Sequence, residues 1–173
     1  MAGPGHKPRV LIVDDDELIV RMICDLLSAE FEVLSATAGA EAVQILEREP
    51  VAAILCDQNM PGILGIEVLE RAITLQPRAV RILVTATDKV EDVADATNRA
   101  RVHRVVVKPV REVEIARLVR GAIHEMELEE ENARLVGELQ AAVAELQQRE
   151  KELERELLLR NEELRAVIAQ LRQ

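Results

Sequence analysis

With 173 residues, 49% of them hydrophobic, the chain suits one ordinary domain plus an appendage and is short for two full domains. Phe31 is the sole aromatic residue, so the core must be built from Val, Leu, Ile and Ala, and no platform exists for stacking unpaired bases. A formal net charge of -10 repels a phosphate backbone and argues against a nucleic-acid partner.

The N-terminal residues 1–8 lack an apolar signal-peptide core. No apolar run approaches the ~20 residues needed to span a bilayer. The expectation is a cytoplasmic chain without membrane association. Cys24 and Cys56 both fall in apolar stretches and read as buried free thiols.

Val10-Leu11-Ile12-Val13 is a β-branched run ending in Asp14-Asp15-Asp16. Leu18, Ile19, Met22, Ile23, Leu26 and Leu27 then repeat at helical spacing. Residues 31–36 alternate like a strand, and 41–48 read as a helix with Ala42, Val43, Ile45 and Leu46 as its apolar members. The run 52–56 predicts a second buried strand, ending in Asp57. Asn59-Met60-Pro61-Gly62 has strong turn chemistry. A helix follows through Ile66, Leu69 and Ile73 and stops near Pro77. Residues 81–84 predict a strand ending in Thr85, 89–100 a charged helix, and 105–107 a strand ending in Lys108-Pro109. A last helix starts after Pro109.

This order is β-α repeated five times, which implies a parallel sheet with helices on both faces. Continuous apolar strands agree with a sheet covered on both sides. Ligands of such sheets bind at the carboxyl ends of strands. Those ends carry Asp14-Asp15-Asp16, Asp57, Thr85 and Lys108. Clustered carboxylates raise each other's pKa, and a hard cation relieves them. Oxygen-only ligands suit Mg²⁺, which takes few carboxylates and several waters. A carboxylate can also accept a phosphoryl group and hold it as an acyl phosphate. Each residue has a plainer reading: Asp at a strand end often caps the next helix, and Asp16, nearest the helix start, is expected to do so.

Taken in order and at their spacing, Val10-Leu11-Ile12-Val13-Asp14-Asp15-Asp16, Ile54-Leu55-Cys56-Asp57-Gln58-Asn59-Met60-Pro61-Gly62, Leu83-Val84-Thr85-Ala86 and Val106-Val107-Lys108-Pro109 closely resemble the response-regulator receiver domain. The resemblance covers residues 8–122. It implies a flavodoxin-like, doubly wound five-stranded sheet of order 2-1-3-4-5. It also implies that Asp57 is phosphorylated by a sensor histidine kinase or a phosphotransfer protein. Asp15, Asp57 and the backbone carbonyl of Asn59 would ligate Mg²⁺, with Asp14 acting through water. Lys108 would contact the phosphoryl group and Thr85 would move toward it. Asn59 and Thr87 lie where the family tunes acyl-phosphate hydrolysis. The chain departs from the pattern at two positions: Val105 stands where an aromatic partner of the switch threonine is common, and Leu64 where Asp or Ser often precedes Gly65. An aliphatic Val105 cannot swing as an aromatic ring does. His6, His103 and His124 show no ligand spacing and read as solvent-exposed.

From Arg111 to Arg172 there is no proline, and a continuous helix would be on the order of 90 Å long. Val136, Val143, Leu157 and Leu164, with Leu171, share one heptad position, interrupted by Glu150; Leu139, Leu146, Leu153 and Val167 share the complementary one, interrupted by Arg160. This is the pattern of a left-handed coiled coil. Residues 123–173 hold 13 acids and 7 bases, so no basic face invites a membrane. The expected organisation is a flexible N-terminus (1–7), a receiver (8–122) and a coiled-coil stalk (123–173). No enzymatic domain or DNA-reading element is visible. Two functions follow. One is a regulator that signals through a coil that forms a homodimer or docks a downstream protein. The other is the regulatory front of a larger protein whose output enzyme, a cyclic-dinucleotide enzyme, cyclase or kinase, lies beyond Gln173.

Overall fold

A computed structural model describes residues 7–86 and 98–171, with the side chains of 112, 113, 166 and 169–171 left out. The elements are β1 (Arg9–Val13), α1 (Glu17–Leu27), β2 (Glu32–Ala36), α2 (Gly39–Arg48), β3 (Ala53–Asp57), α3 (Gly65–Leu75), β4 (Val80–Thr85), β5 (Arg104–Val107) and α4 (Glu112–Leu171). The strands form one parallel sheet in the order β2-β1-β3-β4-β5, the doubly wound topology expected. The helix expected over 89–100 falls mostly outside the described residues; 98–100 are helical.

Successive strand side chains point to opposite faces, and each face builds its own apolar layer. Leu11, Val13, Ile54, Cys56 and Leu83 pack with Ala42 and Leu46 of α2 and Val68 and Leu69 of α3. Val10, Ile12, Leu55, Ile82 and Val84 pack instead with Ile23 and Leu27 of α1 and Ile115 and Val119 of α4. Phe31 is buried in this second layer. The central strands β1, β3 and β4 are almost wholly buried, in keeping with their mainly apolar runs. The edge strand β5 is not: Val105 and Val106 are part-buried and Val107 is exposed.

Local chemistry sets the element ends near the strand tips. Asp16 caps α1, its Oδ1 accepting from the Leu18 N–H at 2.8 Å. Glu67 reaches back to accept from the Leu64 N–H at 2.9 Å, closing the first turn of α3. Gly62 takes φ +88°, a left-handed conformation that side chains rarely adopt. Leu64 is exposed, as its loop position suggested.

Arg81 is buried in β4, and its guanidinium donates to the carbonyls of Ala79, Ala100 and Arg101. Burial and then the charge of Arg101 lower its pKa. The Arg81 backbone N–H donates to His103 Nδ1 at 2.9 Å, while the His103 N–H donates to the Arg81 carbonyl. His103 is therefore a part-buried acceptor and not the solvent-exposed side chain its spacing suggested. It completes the β4 ladder just before β5 starts. His124 is exposed, and His6 lies outside the described residues.

By its contacts the chain divides into Met1–Glu127 and Leu128–Gln173. In the second unit every described side chain is exposed, apolar ones included. Arg134 there pairs with Glu131 and Glu138 at 2.5 Å each, the local pairing usual on a solvated helix. Among the described residues no helix is long and apolar enough to cross a membrane.

Candidate functional site

The parallel sheet brings the carboxyl ends of β1, β3, β4 and β5 to one edge. The chain places a carboxylate after β1 (Asp14), another on the last residue of β3 (Asp57), a hydroxyl at the end of β4 (Thr85) and an ammonium after β5 (Lys108). Asp14, Asp57 and Thr85 are buried, at 5%, 5% and 2% exposure.

Lys108 Nζ lies 2.6 Å from Asp57 Oδ1 and 3.0 Å from Asp14 Oδ2. The remaining carboxylate oxygens face the backbone. Asp57 Oδ2 accepts from the Asn59 N–H at 2.7 Å, and Asp14 Oδ1 from the Asp16 N–H at 3.0 Å. The Lys108 N–H donates to the Thr85 carbonyl at 2.8 Å, which ties the lysine to the threonine's strand. The Lys108–Pro109 peptide is cis. Two carboxylates against one ammonium leave the buried set with a charge of one negative unit. For Lys108, burial lowers the pKa, but the hydrogen bonds and charges of Asp57 and Asp14 outweigh it and the net direction is upward.

Two residues that sequence reasoning did not assign shape this site. A Cβ on Gly65 would stand 2.0 Å from the Asp57 carbonyl oxygen, so α3 meets the end of β3 with no room for a side chain. Gln58 fastens the same junction. Its carbonyl accepts from the Gly65 N–H at 3.1 Å, its side-chain Oε1 from the Ile66 N–H at 3.1 Å, and its own N–H donates to the Val84 carbonyl at 2.8 Å. Turn chemistry identifies the loop, but only the closed fold reveals how near the helix comes.

Asp14, Asp57, Lys108 and the Thr85 backbone are thus brought together. Asp15 is exposed beside Asp14 and stands outside this hydrogen-bonded set. Asn59 is exposed with its backbone N–H on Asp57. Val105 is part-buried against the first apolar layer, and Thr87 lies outside the described residues. A cleft of about 290 Å³ adjoins the set, walled by apolar side chains such as Ile12, Met22, Leu55 and Val106. Among the described residues no three Asp, Glu, His or Cys side chains form a chelating group. The donor set still fits Mg²⁺, because that ion takes one or two carboxylates and fills its octahedron with water and phosphate oxygens.

Cys56 is a buried neighbour of Asp57, whereas Cys24 is only part-buried, less than its apolar surroundings suggested. Burial first, then the charges of Asp57 and Asp14, push the Cys56 thiol far above its ordinary range. Cys24 is also raised, by burial and Asp25. We expect a thiol reagent at mildly alkaline pH to label Cys24 slowly and to reach Cys56 only in denaturant. Rapid native labelling of Cys56 would contradict this burial.

Residues 10–120 match the family profile described as the response regulator receiver domain. The chain is 34% identical over 140 residues to the hydrogenase transcriptional regulatory protein HoxA of Cupriavidus necator; the match takes in 81% of this chain and 29% of that one. A crystal structure titled as a CheY-like response regulator receiver domain protein, from Methanospirillum hungatei, superposes with a TM-score of 0.67 at 30% identity, covering 71% of this chain and 98% of that one. Another, titled as an adenylate cyclase from Rhodopirellula baltica, superposes at 0.69 with 28% identity, covering 75% and 97%.

Proposed function

The chain belongs to the response regulator receiver domain family, and on that footing we propose that it accepts a phosphoryl group on Asp57 and passes the signal through its C-terminal helix. The observation that carries this reading is Lys108 Nζ held between the buried carboxylates of Asp57 and Asp14, at 2.6 and 3.0 Å.

A carboxylate oxygen of Asp57 attacks the phosphorus of a phosphohistidine on a sensor kinase or phosphotransfer protein. The new O–P bond forms as the P–N bond breaks, and the imidazole leaves with the electron pair. Lys108 Nζ turns from the carboxylates to a phosphoryl oxygen and balances its charge. The Asn59 N–H keeps the acceptor carboxylate in orientation. Asp57, Asp15 and the Asn59 carbonyl would hold Mg²⁺, with Asp14 acting through water, and the ion would supply charge neutralisation for the transferring oxygens. The Thr85 hydroxyl turns toward the product. With Val105 in place of an aromatic ring, the response is read through aliphatic repacking at the β4–β5 edge. Asn59 and Thr87 tune how long the acyl phosphate lasts. On this reading the chain is a regulatory phosphoacceptor whose own chemistry goes at most to phosphoryl transfer and autodephosphorylation.

The proposed domains are the receiver at 8–122 and a coiled-coil stalk at 123–173, which forms a homodimer or docks a downstream protein. A second reading is supported by coverage: the chain spans about 29% of the HoxA length. On that reading these residues are the regulatory part of a larger regulator, whose output enzyme lies beyond Gln173. Whether the reading frame continues past Gln173 separates the two.

Mass spectrometry after incubation with a small acyl-phosphate donor and Mg²⁺ tests the acceptor. One phosphoryl adduct is expected, mapped to Asp57 and absent in Asp57→Asn. An adduct that persists in Asp57→Asn would sink the assignment.

A further inference from the structure

In the second unit Val143, Leu146, Leu153, Leu157, Leu164 and Val167 are 44–70% exposed, on two heptad positions that call for a partner helix. Two charges interrupt this seam. Glu150 shares its heptad position with Val143, Leu157 and Leu164; Arg160 shares the other with Leu146, Leu153 and Val167. Both are exposed on the single helix, where Arg160 Nη1 lies 3.7 Å from Glu163 Oε2. What they meet in a pair depends on the direction of the second helix.

A parallel, in-register pair joins each position to itself. Glu150 then faces Glu150 and Arg160 faces Arg160, which buries like charges together. An antiparallel pair joins one heptad position to the other. If Glu150 is set opposite Arg160 of the second copy, the rest of the register follows without further choice. Leu153 meets Leu157, Leu146 meets Leu164 and Val143 meets Val167, so these neighbouring layers are apolar on both sides. At the flanks Arg149 meets Glu163, while Glu154 and Glu156 meet their own copies near the axis. The parallel pair would have Arg149–Glu154 contacts at its flanks. These rim positions are solvated and weigh little against charges inside the seam.

We propose that this helix pairs antiparallel with a second copy of the chain, about a two-fold axis level with Arg155. Reciprocal Glu150–Arg160 ion pairs are then the polar layers among apolar ones. The proposal rests on the homodimer reading above and adds its direction and register. The two chains enter the pair from opposite ends.

Charge reversal tests this on the full 173-residue chain by sedimentation equilibrium, with helix content checked by circular dichroism. Glu150→Arg and Arg160→Glu should each weaken dimerisation about tenfold or more, and the double variant should restore it to within about threefold. A parallel pair would exchange one like-charged layer for another and remain indifferent. Disulfide trapping gives an independent reading in a Cys24→Ala background. Leu146→Cys and Leu164→Cys chains should crosslink when mixed and not with themselves. A dimer that ignores the single reversals, or a Leu146→Cys chain that crosslinks efficiently to itself, overturns the antiparallel register but leaves the homodimer. A chain that stays monomeric, or assembles beyond two copies, overturns both.

Discussion

Lys108→Met is expected to slow phosphorylation of Asp57 by about a hundredfold or more, because it removes the cation nearest the transferring charge. The variant keeps most of the side-chain volume, so the effect reports charge rather than a cavity. It also leaves Asp14 and Asp57 buried without their 3.0 and 2.6 Å partner. Loss of one partner from a fully buried pair costs several kcal/mol. Lys108 is 30% exposed, so the expected cost falls to about 1–2 kcal/mol. Added Mg²⁺ should therefore raise the melting temperature of the variant more than that of the unmodified chain. The sign with pH follows from the raised Lys108 pKa. A group that holds its proton more tightly when folded contributes fully below its unfolded value, here 10.5, and loses that contribution as pH rises through the folded one. On the alkaline side the two proteins should converge in stability as Lys108 loses its proton. Rapid-quench phosphorylation and thermal melts check both parts, and equal rates would remove Lys108 from the proposed chemistry.

Gly65→Ala should destabilise the fold by about 3 kcal/mol. The added methyl would sit 2.0 Å from the Asp57 carbonyl oxygen, which belongs to a central strand and has no free rotation. Either α3 retreats, at the expense of the Gly65–Gln58 and Ile66–Gln58 hydrogen bonds, or β3 bends at the acceptor. Phosphorylation should fall in the fraction that remains folded, since Asp57 is displaced in either case. Gly121→Ala is the matching control. Nothing lies within 4 Å of that Cβ, and the position is inside a helix, so a gain of about 0.5–1 kcal/mol is expected. Urea melts of both variants would decide, and a Gly65→Ala chain as stable as the original would refute the close contact.

Much of the fold could be read from the chain because its signals are local. The run from Val10 to Val13 carries its strand, the heptads of the C-terminal third carry their helix, and Asp16 lies where an N-cap is needed. His103 was misplaced because its ring serves as a backbone acceptor, and no spacing encodes that role. The order 2-1-3-4-5 implied by the resemblance already puts β5 at an edge, and its run of valines is only part-buried or exposed for that reason.

By itself the amino-acid order determined the alternation of strands and helices, the acidic and basic residues at four strand tips, and the unpartnered apolar stripe. These depend on contacts within a few residues, where spacing along the chain is spacing in space. Only the tertiary structure decided which tips touch: Lys108 is 94 residues from Asp14 along the chain and 3.0 Å from it in space. It also decided that α3 starts hard against the Asp57 carbonyl and that Asp15 stands outside the lysine's grip. The reason is that parallel strand pairing and helix crossover fix those distances, and both are properties of the whole sheet.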